Sequence, residues 1–176
     1  EVEHDARFRT QRLVTLGELR LQALGDSENA RKAFGKALEL KPGLLRALKG
    51  HSRTFDEKEQ PKELVAALRA ELSASALAER RVALAKKIAD LQANRLNDSE
   101  GASETLEEIL RLRPLDQDAW RRLRDLHVQA NDYANLTKSY EREARHAPSV
   151  KRQESCFRAA AQICEHHLND KARAAE

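Results

Sequence analysis

Residues 24–42, LGDSENARKAFGKALELKP, return 72 positions later as residues 96–114, LNDSEGASETLEEILRLRP. Leu24-Gly25-Asp26-Ser27-Glu28 becomes Leu96-Asn97-Asp98-Ser99-Glu100, and the opening recurs again as Leu168-Asn169-Asp170. Leu38-Glu39-Leu40-Lys41-Pro42 becomes Leu110-Arg111-Leu112-Arg113-Pro114. Between these anchors the apolar positions agree without a gap: Ala30 with Ala102, Phe34 with Leu106, Ala37 with Ile109, Ala47 with Ala119, Leu48 with Trp120. A fixed offset held across the chain is the signature of a repeat architecture.

Each 72-residue block carries four helical patterns. Residues 6–23 set Leu13, Leu16, Leu19, Leu21 and Ala23 along one side, and a turn follows at Gly25-Asp26. Asp26 or Ser27 caps the next helix, 28–40, which buries Ala30, Phe34, Ala37 and Leu38 at i, i+4, i+7, i+8 spacing. Pro42-Gly43 ends it. A third helix is expected over 44–57, carrying Leu45, Leu48 and Phe55. Pro61 opens a fourth, with Leu64, Leu68 and Leu72 inward. The cycle restarts from Leu77 and again near Val150.

Composition agrees. There are 28 Ala and 25 Leu against 14 β-branched residues, and Gly and Pro contribute only 6 and 4 of 176. A sheet-based enzyme fold needs Val/Ile-rich strands and turn glycines, which this chain lacks. A mean hydropathy of −0.74 is lean for one thick core, but a stack of helix pairs tolerates it. The net charge is only +3, with both signs interspersed, against a dedicated polyanion binder. No apolar run is long enough to span a membrane. Cys156 and Cys164 lie about 12 Å apart along a helix, too far for a disulfide, and read as buried thiols in a reducing, cytoplasmic compartment. The absence of Met, with a last unit that stops early, points to a segment of a longer array.

Trp120-x2-Leu123-Arg124-x2-His127…Leu136-x3-Tyr140…Pro148 resembles a tetratricopeptide repeat (TPR), whose pattern is W-x2-L-G-x2-Y…A-x3-F…P. Ala30-x3-Phe34…Pro42 and Ala102-x3-Leu106…Pro114 are similar to its second half. Leu48-x2-His51-Ser52-x2-Phe55…Leu64-x3-Leu68 follows it in apolar character, and Phe157-x2-Ala160-Ala161-x2-Cys164 opens a fifth unit. The pattern's glycine is replaced by Arg124 and Ser52, with Gly17 in that role in the first unit. Longer first helices account for a double unit of 72. The resemblance implies an all-α solenoid of antiparallel helix pairs, a right-handed superhelix spanning 1–176 as one domain. Its units are expected near 6–43, 44–76, 77–115, 116–148 and an incomplete 149–176. Other helix-pair repeats are the structural alternative.

Catalytic constellations are missing from the sequence. There is no G-x-G-x-x-G and no P-loop. His4, His51, His127 and His146 are scattered, and His166 and His167 point about 100° apart on a helix. Cys164 and His167 share an edge at i, i+3, but a core thiol beside a surface imidazole explains them. His51 and His127 read as packed histidines, and Asp116-x-Asp118 as a helix start. Neither Arg80-Arg81 nor Arg121-Arg122-x-Arg124 is interleaved with aromatics for base stacking, so nucleic acid is not expected. No cofactor or metal is expected, and no enzymatic activity.

The resemblance places the first helix of each pair along the concave groove. Exposed positions there are expected to contact a partner: Asp118, Arg121, Arg122, Asp125 and Gln129; Arg46, Lys49, Arg53 and Asp56/Glu57; Lys86, Asp90 and Asn94; Arg158, Gln162 and His166. The recurring cations favour a protein or peptide partner with an acidic segment or C-terminal carboxylate. Lys49 is followed by Arg53 and not Asn, so the family's carboxylate clamp for chaperone tails is not supported. The expected function is a non-catalytic protein-interaction scaffold within a longer repeat protein. The alternatives are a regulatory module of a larger enzyme or signalling protein, and a structural spacer that self-associates through its array ends.

Overall fold

The computed structural model describes residues 2–168. Among them run nine α-helices: α1 Val2–Ala23, α2 Ser27–Leu40, α3 Leu45–Ser52, α4 Pro61–Ala74, α5 Ala78–Asn94, α6 Ser99–Leu112, α7 Gln117–Gln129, α8 Tyr133–His146 and α9 Val150–Ile163. A π-helical turn, Cys164–Leu168, follows α9. No strand occurs among the described residues. The fold is all-α and of the helical-repeat, solenoid class. The third start of the repeat, at Asn169-Asp170, and the second helix of the fifth unit lie outside the described residues.

The chain divides into two compact units, Glu1–Asp98 and Ser99–Glu176. In the first, α1 packs on α2, α2 on α3, α3 on α4 and α4 on α5. In the second, α6 packs on α7, α7 on α8 and α8 on α9.

Turn chemistry follows the repeat. Gly25 and Asn97 occupy the same place, and both adopt the left-handed conformation, φ 65° and 51°. Asn131, after α7, does likewise at φ 53°. The Asp26 carboxylate accepts from the Asn29 backbone N–H at 3.1 Å, and Asp132 and Asp116 cap α8 and α7 in the same way. Bonds from Asn29 hold the Asp26 carboxyl below its ordinary range, and bonds from Asn135 do the same for Asp132.

The first unit's core centres on Phe34, fully buried with Val14, Ala30, Ala37 and Ala47. Two glycines make room for its ring. A Cβ at Gly17 would stand 2.8 Å from the ring, and one at Gly50 closer still. Gly17 thus serves the close approach of α1 to α2. In the second unit Trp120 and Leu123 fill the centre, and the buried indole N–H donates to the Pro114 carbonyl at 2.8 Å.

One element departs from expectation. The third helix stops at Ser52, well short of residue 57. Polar side chains capture the backbone there. Thr54 Oγ1 donates to the His51 carbonyl at 2.7 Å, and Asp56 accepts from the N–H groups of Lys58 and Glu59. Arg31 of α2 secures the unwound segment by donating to the Thr54 carbonyl and to Gln60 Oε1, each at 2.7 Å. Its guanidinium lies 4.2 Å from the Phe55 ring centroid.

Candidate functional site

The exposed faces of the first helices follow from their apolar spacing. On α7, Ala119, Trp120, Leu123 and Leu126 turn inward. That leaves Asp118, Arg121, Arg122 and Asp125 as an i, i+3, i+4, i+7 stripe on the other side. Arg121 and Asp125 are exposed, while Asp118 and Arg122 are half-buried. On α3 the same logic aligns Arg46 and Lys49, with Arg53 as the residue that ends the helix. On α9, Arg158 and Gln162 are exposed one turn apart, followed by an exposed His166. On α5, Lys86 and Asp90 are half-buried and Asn94 is exposed.

The cations among these residues divide into two kinds. Asp118 accepts from Arg121 at 2.8 Å and stands 3.2 Å from Arg122. Arg46 makes a two-pronged contact with Glu18 of α1, both distances 2.7 Å. Arg158 stands 3.7 Å from Glu154, one turn back. Exposed pairs of this kind contribute little to stability and exchange readily. Lys49 and Arg53, by contrast, have no carboxylate beside their side chains among the described residues. An even basic stripe is therefore not what the side chains form. Asp56 and Glu57 lie in the turn after α3, where Asp56 binds backbone N–H groups and Glu57 stands 3.9 Å from Arg95 of α5.

Two charged clusters escaped the sequence reading. Glu71 of α4 and Glu143 of α8 are each 1 % exposed and stand 72 positions apart. Glu71 accepts from Arg80 of α5 (Nε at 2.9 Å) and from Ser52 Oγ of α3 at 3.0 Å. Glu143 accepts from Arg152 of α9 at 2.6 and 3.0 Å and from Arg124 of α7. Each buried carboxylate thus joins three consecutive helices. Arg80 and Arg152 are also 72 apart, as are Ser52 and Arg124. The position where the tetratricopeptide pattern has glycine is thus used here to present a donor to a buried glutamate. Arg124 further stacks 4.5 Å from the Tyr140 ring centroid. Burial and the Glu143 charge push the neighbouring Cys156 thiol up, an inert and not a reactive setting.

Among the described residues no group of three or more His, Cys, Asp or Glu side chains is arranged to hold a metal ion. Cys164 is buried, and the His167 ring stacks on Tyr133 with centroids 3.9 Å apart. In the second unit a cleft of about 630 Å³ opens between α6, the end of α7 and α8. It is lined by Glu100, Glu104, Leu126 and Lys138, beside a two-pronged Arg142–Glu107 pair at 2.5 and 2.8 Å. No helix among the described residues is long and apolar enough to cross a membrane.

His51 and His127 are half-buried, and burial lowers the affinity of both rings for a proton. The unfolded chain, with His near its ordinary value of about 6.5, then binds more protons than the folded one below that pH. Stability should be flat above about pH 7 and decline as the pH falls through about 6.5 toward the folded-state values. Urea midpoints measured between pH 7.5 and 5 should show this slope. A His51→Gln/His127→Gln variant should flatten it, whereas the carboxylates held down at Asp26 and Asp132 act only in a lower window, near and below about pH 4.

A helical-repeat protein of tetratricopeptide-like fold is the class these features define. No family model matches the chain, and no curated protein matches it by sequence. Solved structures do match by fold. The "Crystal structure of MamA protein" superposes with a TM-score of 0.53 at 15% identity, over 95% of this chain and 86% of that one. "YrrB: a TPR protein with an unusual peptide-binding site" does so with a TM-score of 0.51 at 17% identity, over 92% of this chain and 79% of that one.

Proposed function

We propose that this protein is a non-catalytic scaffold whose first helices bind a protein or peptide partner, with repeat units close to those expected from the sequence. The observation that carries the reading is Lys49 and Arg53: two cations, on α3 and at its C-terminal cap, without a carboxylate beside them among the described residues. Such groups attract a carboxylate ligand without first breaking a pair. Arg121 and Arg158 are themselves exposed and can exchange Asp118 or Glu154 for a ligand carboxylate at small cost, while Arg122 shares Asp118 in a half-buried pair. Asp90 in the first unit, and Asp125 and Gln162 in the second, add acceptors and an amide to the first helices of each unit. The fold neighbour YrrB is described as having a peptide-binding site, which supports the class of work.

Partner recovery from a lysate by immobilised protein tests it. A Lys49→Glu/Arg53→Glu variant should lose the partner. An Arg53→Glu/Arg121→Glu/Arg158→Glu variant should lose it at least as completely. Undiminished recovery with both would remove the basic-ligand-contact reading. Recovery falling steeply with added salt is expected, because the contacts are exposed.

A further inference from the structure

We propose that the cleft between α6, the end of α7 and α8 receives an arginine side chain presented by a protein partner. The reason lies one repeat earlier, where the same place is filled by the chain's own arginine. Arg31 of α2 donates there to Thr54 Oγ1 at 3.3 Å, to the Thr54 carbonyl and to Gln60 Oε1, with its guanidinium 4.2 Å from the Phe55 ring centroid. An offset of 72 carries Arg31 to Ser103, Thr54 to Leu126, Phe55 to His127 and Gln60 to Asp132. All four of these counterparts line the open cleft of about 630 Å³. The repeat thus builds one site twice and supplies the guanidinium once. The backbone keeps the second copy open. Helix α7 runs on to Gln129, the counterpart of residue 57, whereas α3 stops at Ser52 and its unwound Thr54 closes on Arg31. Serine at 103 is too short to take the place of Arg31.

The charges lining the cleft define the occupant. Relative to the first unit, Lys32 is replaced by Glu104, Gly35 by Glu107 and Gln60 by Asp132, while Glu28 is kept as Glu100. Two cations also enter, Lys138 for Ala66 and Arg142 for Ala70. Both prongs of Arg142 are held by Glu107, and Lys138 stands 3.4 Å from Asn135 Oδ1. Where Glu28 and Lys32 form an i, i+4 pair at 2.7 Å, Glu100 and Glu104 are two exposed carboxylates one turn apart, which repel. A cation between them relieves that repulsion. Asp132 caps α8 through Asn135, and a carboxylate so engaged still has lone pairs to offer. Burial keeps the half-buried His127 ring uncharged at neutral pH, so it presents a flat face where Phe55 meets Arg31. A planar fork that spans two carboxylates and stacks on a ring is the property of arginine and not of lysine. Leu126 meets the methylenes of its stem. The site belongs to the second helices of the pairs and does not rest on Lys49 and Arg53.

The probe is a capped tripeptide with arginine between two alanines, titrated into the intact protein and followed by amide chemical shifts in two-dimensional NMR. Saturable shifts are expected at Ser103, Leu126, His127 and Asp132. The arginine peptide should bind about fivefold more tightly than the same peptide with lysine or with uncharged citrulline. Glu100→Gln/Glu104→Gln, which keeps size and helix, should weaken it about fivefold or more. Ser103→Arg restores the arginine of the first unit in cis and should abolish the shifts, with helical content checked by circular dichroism. Equal affinity for the arginine and citrulline peptides would overturn the proposal. So would an absence of saturable shifts in the wild type, or binding undiminished in the double glutamine variant. Light scattering that shows wild-type self-association dispersed by Ser103→Arg would make the arginine donor a second copy of this chain and overturn the separate partner.

Discussion

Glu143→Ala is expected to destabilise the Ser99–Glu176 unit by about 3–5 kcal/mol, the usual cost of removing one partner from a buried ion pair. The reason lies in what remains. Arg124 is only 11 % exposed and would keep its charge with no carboxylate to meet it. Arg152 is 38 % exposed and can turn to water, so most of the loss comes from Arg124 and from the hole beside Cys156. Urea unfolding followed by circular dichroism at neutral pH measures the effect. Exchanging all of Arg124, Glu143 and Arg152 for Met or Leu should cost far less than Glu143→Ala alone, because no charge is then left buried. A Glu143→Ala midpoint equal to the wild type's would mean that the arginines are solvated in solution. Glu71→Ala should act in the same direction on the Glu1–Asp98 unit, where one arginine and Ser52 are left behind.

The second large effect is expected at Phe34. Truncation to alanine empties the middle of the first unit's core and should cost about 3–5 kcal/mol. The opposite error is made at its glycines. Gly50→Ala drives a methyl into a ring that is fully buried and has nowhere to move, and should cost about 1–3 kcal/mol. Combining Gly50→Ala with Phe34→Leu should recover part of that loss, because the shorter side chain vacates the space the methyl needs. The sequence makes a similar exchange by itself one period later, with Leu106 for Phe34, Ala89 for Gly17 and Arg122 for Gly50. Additive losses in the double variant, measured by the same unfolding curves, would contradict the contact.

What could be read in advance was whatever repeats with apolar or turn residues. The 72-residue offset, the Asp26 and Asp116 caps, Pro61 at the start of α4 and the inward Leu64, Leu68 and Leu72 all follow from period and capping chemistry. The end of α3 was missed because Phe55 continued the apolar spacing. What overrode it was Thr54 and Asp56 bonding the backbone, with Arg31 arriving from another helix. Glu71 and Glu143 were missed for a different reason: a glutamate in a helix is by default a solvated one, and burial is a tertiary property. A signal did exist. Glu71-x8-Arg80 recurs as Glu143-x8-Arg152 at the offset already found, and a charged pair kept in register with a core merits suspicion. The residues expected to contact a partner were legible as positions on helices. Their ion pairing was not, because Glu18 and Glu154, which occupy Arg46 and Arg158, belong to no motif.

The indole bound to the Pro114 carbonyl has a practical consequence. Trp120 is the sole tryptophan, and both tyrosines, Tyr133 and Tyr140, also fall after Ser99. Tryptophan and tyrosine emission from this protein is therefore blind to the first 98 residues, whereas helical ellipticity counts both units. Denaturation curves recorded by the two signals on one sample become a direct measure of cooperativity. Coincident curves mean that the chain melts as one body, and displaced curves give the stability of each unit separately, with no label and no truncation.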